Sequence, residues 1–240
     1  MNFGIIKESS IAVRKNATSK SEMINQLLFG ETFKILEKKN KWSLISSFLD
    51  NYSGWIENIN IQSISEKDFE ILNKNMFFSN SNLELINPKN RYPQIIPTGS
   101  QISSCVFLNY KLNIIQNKEL IDPLEFINTP YLWGGKTKYG IDCSGLIQVI
   151  MRTKKRFIPR DAKDQANFGE TVKFDLIKKN DLCFFGKNVQ NITHVGLYIG
   201  KNKLLHAFEK VRIDKINKKG IFNSDSLKIT HNLISIRRIN

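Results

Sequence analysis

Cysteine is scarce in this chain: three residues in 240, Cys105, Cys143 and Cys183, at wide and irregular spacing. That excludes a disulfide-stapled framework and matches no zinc-binding Cys-x-x-Cys pair. It fits a reducing compartment holding at most one specialised thiol. Histidine is equally sparse, so imidazole chemistry has only His194, His206 and His231 to draw on. Long apolar runs are absent too. Nothing approaches the roughly 18 apolar residues of a membrane span, and the opening "MNFGIIKESSIAVRKN" lacks the apolar segment of about 7 to 15 residues that a secretory signal carries. The expectation is a soluble, cytoplasmic protein without a membrane span, with export by an unrecognised route as the alternative.

Acidic residues are the scarce sign of charge. The chain has 36 Lys+Arg against 22 Asp+Glu, a formal charge of +14. Such a surplus is one mark of a polyanionic partner, nucleic acid or a wall polymer. Dense basic runs are missing, however: "KKNK", "RTKKR" and "NKKG" are short and scattered, and Lys, Asn and Ile are abundant throughout. A general compositional lean accounts for the charge, and no nucleic-acid partner is expected. At 41% hydrophobic residues the chain has ample material for a core.

Three zones follow one another. Residues 1–62 hold short apolar segments between polar turns, "IAVR", "INQLLFGETFKILEK", "KWSLISSF" and "GWIENI", whose alternation predicts brief strands of a small β-barrel. In residues 63–113, "SEKDFEILNKN" predicts a turn or two of helix capped by a Ser. The strands that follow, broken by Pro88, Pro93 and Pro97, predict a second, degenerate barrel. From 114 to 240 the texture lengthens. A helix is expected to end before Pro130, then come a glycine loop, a helix beginning at Cys143, a loop with "IPRDAKDQ", and the strands "DLCFF", "THVGLYIG" and "KLLHAFE". Helices first and antiparallel strands afterwards predict an α+β domain.

The chemistry concentrates in "TPYLWGGKTKYGIDCSGLIQ". Cys143 opens a nearly all-apolar helix directly behind Gly134, Gly135 and Gly140. Unpaired N–H groups and the positive helix end at that position favour a thiolate, the form that attacks carbonyls. The same N–H groups suit the oxygen of a tetrahedral intermediate. A nucleophilic thiol needs a base, and two imidazoles fall in adjacent predicted strands. A hairpin centred on Lys201 places His206 diagonally beside His194 on one sheet face, and a centre at Gly200 places them directly opposite. An even-numbered loop without a bulge sends them to opposite faces. With the right parity, His194 serves as base and His206 holds its tautomer from behind. Cys105 and Cys183 read as small core hydrophobes, and His231, in "ITHNLI", as incidental or capping.

With "PYLWGG", "DCSGL", "PRDAKDQ", "DLCFF", "HVGLYIG" and "LLHA" in this order and spacing, residues 115–240 resemble the NlpC/P60 family of papain-like cysteine peptidases. The resemblance implies Cys143 as nucleophile, His194 as general base and later acid, and His206 as the third, orienting residue. No metal and no cofactor is implied. The stretch from about 8 to 60, with "AVRKNATSKSEMINQLLFGETFKILEKKNKWSLI" and "YSGWI", resembles the bacterial SH3 modules found ahead of such enzymes. The combination is similar to the γ-D-glutamyl-L-diamino acid endopeptidases. That likeness implies that the barrel walls the cleft, that Asp161 of "PRD" grips the free L-Ala amine of a murein tri- or tetrapeptide, and that Tyr131 of "PYLW" lines the cleft. Ser144 adds a hydrogen bond to the amine, and Tyr52 of "NYSGW" forms the blocking wall. Arg160 and Trp133 are expected to pack or hydrogen-bond rather than touch substrate, and Asn180 stands where the family has Gly. The implied function is hydrolysis of the γ-D-Glu to diaminopimelate or Lys bond during wall-peptide recycling. The alternatives are a non-catalytic peptidoglycan-binding protein and an amidase or endopeptidase acting on intact wall.

Overall fold

A computed structural model of the chain describes residues 2–89, 92–112 and 121–239. The first zone is a seven-stranded antiparallel sheet of β1 Asn2–Ile5, β2 Ser10–Arg14, β3 Met23–Leu28, β4 Thr32–Lys39, β5 Trp42–Ser47, β6 Ser53–Glu57 and β7 Gln62–Ile64, in the order β3-β2-β6-β5-β4-β1-β7. Alternation sets its inner face: β2 buries Ile11 and Val13, and β5 buries Ser43, Ile45 and Ser47. Ile6, Leu27, Phe33, Ile35 and Ile56 complete the small core. The sheet runs past residue 62 because β7 pairs with β1, Ile64 against Phe3, and covers an edge strand that would otherwise lie open.

The expected second barrel is instead one helix and a small open sheet. Helix α1, Glu66–Lys74, starts where the Ser65 hydroxyl accepts the Asp68 N–H at 3.1 Å, and it buries Phe69 and Leu72. Beyond it β8 Leu83–Ile86, β9 Pro93–Ile96 and β10 Lys111–Leu112 form three antiparallel strands in the order β10-β8-β9. Proline at the strand start and strands of two to four residues leave too few ladder bonds to close a barrel. The sheet therefore shares its core with the first zone: Leu72, Leu83, Leu85, Ile96 and Leu108 pack with Ile5 and Phe29. The boundary expected between 113 and 114 lies outside the described residues. So does part of the helix expected before Pro130. Its described remainder is a 3₁₀ turn, Pro123–Phe126, which starts where Asp122 accepts the Leu124 N–H at 3.0 Å and is followed by Asn128 at φ +66°.

The third zone is α+β. The short ribbon of β11 Lys136–Thr137 and β12 Gly140–Ile141 leads into α2 Cys143–Thr153, followed by α3 Ala162–Gln165. Then come β13 Glu170–Thr171, β14 Leu182–Gly186, β15 Ile192–Gly200, β16 Lys203–Phe208, β17 Lys210–Asn217, β18 Gly220–Asn223 and β19 Lys228–Arg238. The sheet order is β13-β19-β14-β15-β16-β17-β18, and β19 also pairs with β18, so six strands close on themselves. Alternation divides the residues between two cores. Leu182 and Phe184 join Val195, Leu197 and Leu205 beneath α2, whereas Cys183 and Phe185 join Tyr198, Leu204, Ile216, Ile221 and Ile236 in the other.

The first and third zones are locked by buried polar contacts. Arg152 of α2 pairs with Glu31 at 2.5 Å and donates to the Gly99 carbonyl at 3.2 Å. Gln148 donates to Asp50 at 2.9 Å, the buried Lys136 ammonium lies 3.7 Å from the same carboxylate, and the Lys136 N–H donates to Gln26 at 2.7 Å. Burial alone would raise the Asp50 carboxyl, but Lys136, the Gln148 hydrogen bond and Arg152 outweigh it and hold it below the usual range. Burial depresses Lys136 to about 8 in spite of Asp50.

Candidate active site

Cys143 is held by the turn before it. Asp142 caps α2: its Oδ1 accepts the Gly145 N–H at 2.7 Å and its Oδ2 accepts the Gly134 N–H at 2.8 Å, tying helix start and glycine loop together. The glycines permit this proximity, since a Cβ at Gly145 would stand 2.3 Å from the Gly135 carbonyl. Arg160, itself buried, pairs with both Asp142 oxygens, donates to the Ser144 hydroxyl at 2.7 Å and reaches Asn25 of the barrel at 2.8 Å. Arg160 thus fastens the Cys143 turn to the first zone.

A helix start alone favours a thiolate, but burial dominates here. Burial and the Asp142 charge raise the Cys143 thiol to about 12, against the opposing pull of the Val195 and Ser144 N–H groups and Arg160. Burial thus works against the thiolate that the helix start alone would favour. The hydrogen bond from the Val195 N–H to the sulfur places it beside β15, the strand that carries His194.

The imidazole on that strand is His194, and its tautomer can be read from its partners. The β15–β16 register pairs Gly200 with Lys203 across the two-residue loop Lys201–Asn202, and a bulge between Tyr198 and Gly200 then shifts it so that Gly196 pairs with His206, which puts His194 and His206 diagonally on one face. His194 Nε2 lies 2.9 Å from His206 Nδ1, and His206 Nε2 lies 3.1 Å from Asp214 Oδ2. Against the opposing effect of burial, hydrogen bonds from His206 and then Arg212 hold Asp214 below the usual carboxylate range, so it can only accept. His206 then carries its proton on Nε2, its Nδ1 accepts from His194 Nε2–H, and His194 keeps a free lone pair on Nδ1. Burial, then His206 and His231, drive the His194 pKa well below its ordinary range, which favours the neutral imidazole.

One cavity of about 710 Å³ gathers most of the remaining predicted residues: Tyr52, Ser144 and Asp161 line it with Cys143. Asp161 stands at the start of α3, yet its carboxylate caps no helix N–H and instead accepts from the Tyr52 hydroxyl at 3.3 Å. Burial raises Asp161 despite Arg160 and Lys163, and burial with the Asp161 charge raises Tyr52 to about 12. Tyr131 lies outside that lining, and burial raises its phenol above the usual range. Ser144 is engaged with Asp142 and Arg160. Trp133, expected to pack, lines the cavity while more than half exposed. Sequence reasoning missed the barrel side chains Lys15, Glu22 and Ile24 in the lining, the Asp214 end of the relay, and His231. Far from incidental, His231 stacks on His194 with ring centroids 4.5 Å apart and planes 30° apart.

The geometry agrees with comparisons to known proteins. Residues 128–228 match the model of the NlpC/P60 family, and residues 13–60 match the bacterial dipeptidyl-peptidase SH3 domain. This chain carries an NlpC/P60 cysteine-peptidase domain behind a bacterial SH3 domain. The chain shares 48% identity over 86 residues with a γ-D-glutamyl-L-lysine dipeptidyl-peptidase of Bacillus subtilis, covering 34% of this chain and 28% of that protein. It shares 32% over 126 residues with the murein DD-endopeptidase MepS/murein LD-carboxypeptidase of Escherichia coli, covering 50% and 66%. The matches therefore span about a quarter to two-thirds of these relatives. A solved NlpC/P60 family protein from Bacillus cereus superposes with a TM-score of 0.76 at 17% identity over 98% of this chain and 99% of that one, a likeness of fold. Among the described residues no helix is long and apolar enough to cross a membrane.

Proposed function

We propose that the chain is a cysteine endopeptidase that cleaves the γ-D-Glu to diamino-acid bond of released murein stem peptides bearing a free L-Ala amine, as a step in wall-peptide recycling in the cytoplasm. The observation that carries this reading is that one cavity is lined by both the Cys143 thiol and the Asp161–Tyr52 pair. Asp161 is a carboxyl whose burial outweighs the compensation from Arg160 and Lys163. A substrate ammonium would supply a further cation, and its loss would cost on the order of 2 to 5 kcal/mol. Lys15 and Glu22 come from the SH3 domain, which supports the barrel as the wall of a closed, short cleft.

In this mechanism the Cys143 sulfur attacks the γ-carbonyl of D-Glu as its proton passes to His194 Nδ1. An N–H at the start of α2 receives the oxyanion. His206 and Asp214 stabilise the imidazolium, which gives its proton to the leaving amine as the C–N bond breaks. A water deprotonated by His194 then hydrolyses the L-Ala-γ-D-Glu thioester and restores the thiol. The test is mass spectrometry of L-Ala-γ-D-Glu-meso-diaminopimelate and its N-acetylated form, with Cys143→Ala as control. Cleavage of the free-amine peptide alone, lost in the control, is expected. Equal cleavage of both forms would sink the amine-selective role, and cleavage of neither would sink the peptidase.

A further inference from the structure

We infer that a second cavity, on the other side of His194, receives the leaving half of the substrate and recognises the diamino acid by its carboxylate; this rests on the peptidase reading above. The cavity, about 420 Å³, is lined by Lys187, Asn191, Thr193, Thr230, His231 and Asn232 together with Gly186. Thr193 also lines the catalytic cavity, so the two meet at the residue before His194. The His231 wall stacks on His194 itself. The path follows from the chemistry. The acyl half occupies the cavity of Asp161 and Cys143, and the leaving nitrogen has to come within hydrogen-bond reach of His194 to take its proton. Whatever is bonded to that nitrogen therefore continues past Thr193 into the second cavity.

Its lining selects charge. Lys187 is a cation, none of the seven lining residues is acidic, and no ion pair of Lys187 is found among the described residues. His231 stays neutral, held down to about 4 by burial and His206 against the pull of Asp214. Amide and hydroxyl groups from Asn191, Thr230 and Asn232 complete a surface suited to a carboxylate. The site is prearranged. The Lys187 N–H donates to the Asn191 carbonyl at 3.1 Å, and Asn188 Oδ1 accepts the Gln190 and Asn191 N–H groups at 3.1 and 3.0 Å. A Cβ at Gly186 would meet that same Asn191 carbonyl at 2.0 Å, so the turn is drawn tightly against the strand. On the opposite wall the His231 Nδ1 and Thr230 hydroxyl are 2.9 Å apart.

The test compares L-Ala-γ-D-Glu-L-Lys carrying a free α-carboxylate with the same peptide as the α-carboxamide, using the full chain. The expected result is a KM about fivefold lower for the acid at equal kcat, as suits one partly exposed ion pair. This preference should disappear in Lys187→Ala and return in Lys187→Arg. Equal KM values in the unaltered chain, or a preference that survives Lys187→Ala, would overturn the assignment. If neither peptide is cleaved the peptidase reading falls on its own, and the site is judged by NMR titration of free L-lysine against L-lysinamide. Shifts at Thr193 and His231 that need both the carboxylate and Lys187 support it, and their absence overturns it.

Discussion

Asp214→Asn is nearly isosteric and leaves Cys143, His194 and His206 in place, yet it removes the charge that sets the proton arrangement of the whole relay. The 3.1 Å and 2.9 Å hydrogen bonds, separated by one imidazole ring, put the Asp214 carboxylate roughly 8 Å from His194. At an effective dielectric of about 20, a unit charge at that distance stabilises the imidazolium by about 2 kcal/mol, or about 30-fold in rate. Arg212, with its Nε 2.7 Å from the same carboxylate, screens part of that. The expected fall in kcat is therefore about 10- to 30-fold. A further loss comes wherever the new amide turns its NH₂ toward His206 and forces the opposite tautomer on both rings. The assay is kcat and KM on the free-amine tripeptide across pH 5 to 9, with thermal melts of both proteins. A variant that melts normally and turns over at the unaltered rate would refute the relay and reduce Asp214 to a packing residue.

Three further outcomes follow from the same contacts. Tyr52→Phe removes the hydroxyl that donates to Asp161 and should raise KM for the free-amine peptide about fivefold with little change in kcat, read by steady-state kinetics. Arg152→Met leaves the Glu31 carboxylate buried without its cation. Urea titration should show a loss of about 3 to 5 kcal/mol, whereas a loss under about 1 kcal/mol would mean that the carboxylate regains water. His194 and His231 bind fewer protons folded than unfolded, so their contribution is complete above the ordinary histidine range. It is lost as pH falls through about 6.5 towards about 4. Asp161, shifted up from its ordinary value of 3.8, works in the opposite direction as pH falls towards that value. Urea midpoints should therefore be lower at pH 5 than at pH 7, and equal midpoints would contradict the burial of the two rings.

What was legible in the sequence was local. Asp142, Cys143 and the glycines before them are a helix start whose cap lies within three residues, so proximity in the chain is proximity in space. Strand period and the turn near Lys201 put His194 and His206 on adjacent strands, because a hairpin is a short-range feature, but their shared face rests on the bulge between Tyr198 and Gly200. The Ser65 cap of α1 was visible for the same reason. Residue types alone misjudged the second barrel, since the proline-broken strands do not close on themselves and complete their core with Ile5 and Phe29 from another zone.

Only the tertiary structure decided the rest. Asp214 reads as one charge in the alternating strand "VRIDKIN", and it becomes the end of the relay because β17 lies beside β16. His231 reaches His194 because β19 closes the sheet against both β14 and β18, a pairing that no local pattern encodes. Lys136, in a glycine-rich turn that reads as exposed, is completely buried because Asp50 of the SH3 domain faces it. The same desolvation that makes such charges costly in isolation also raises the Cys143 thiol and neutralises His194. By itself the sequence determined which atoms are present for the chemistry. How far each is removed from water, and which distant charge stands beside it, was settled by packing, because both depend on contacts between segments far apart in the chain.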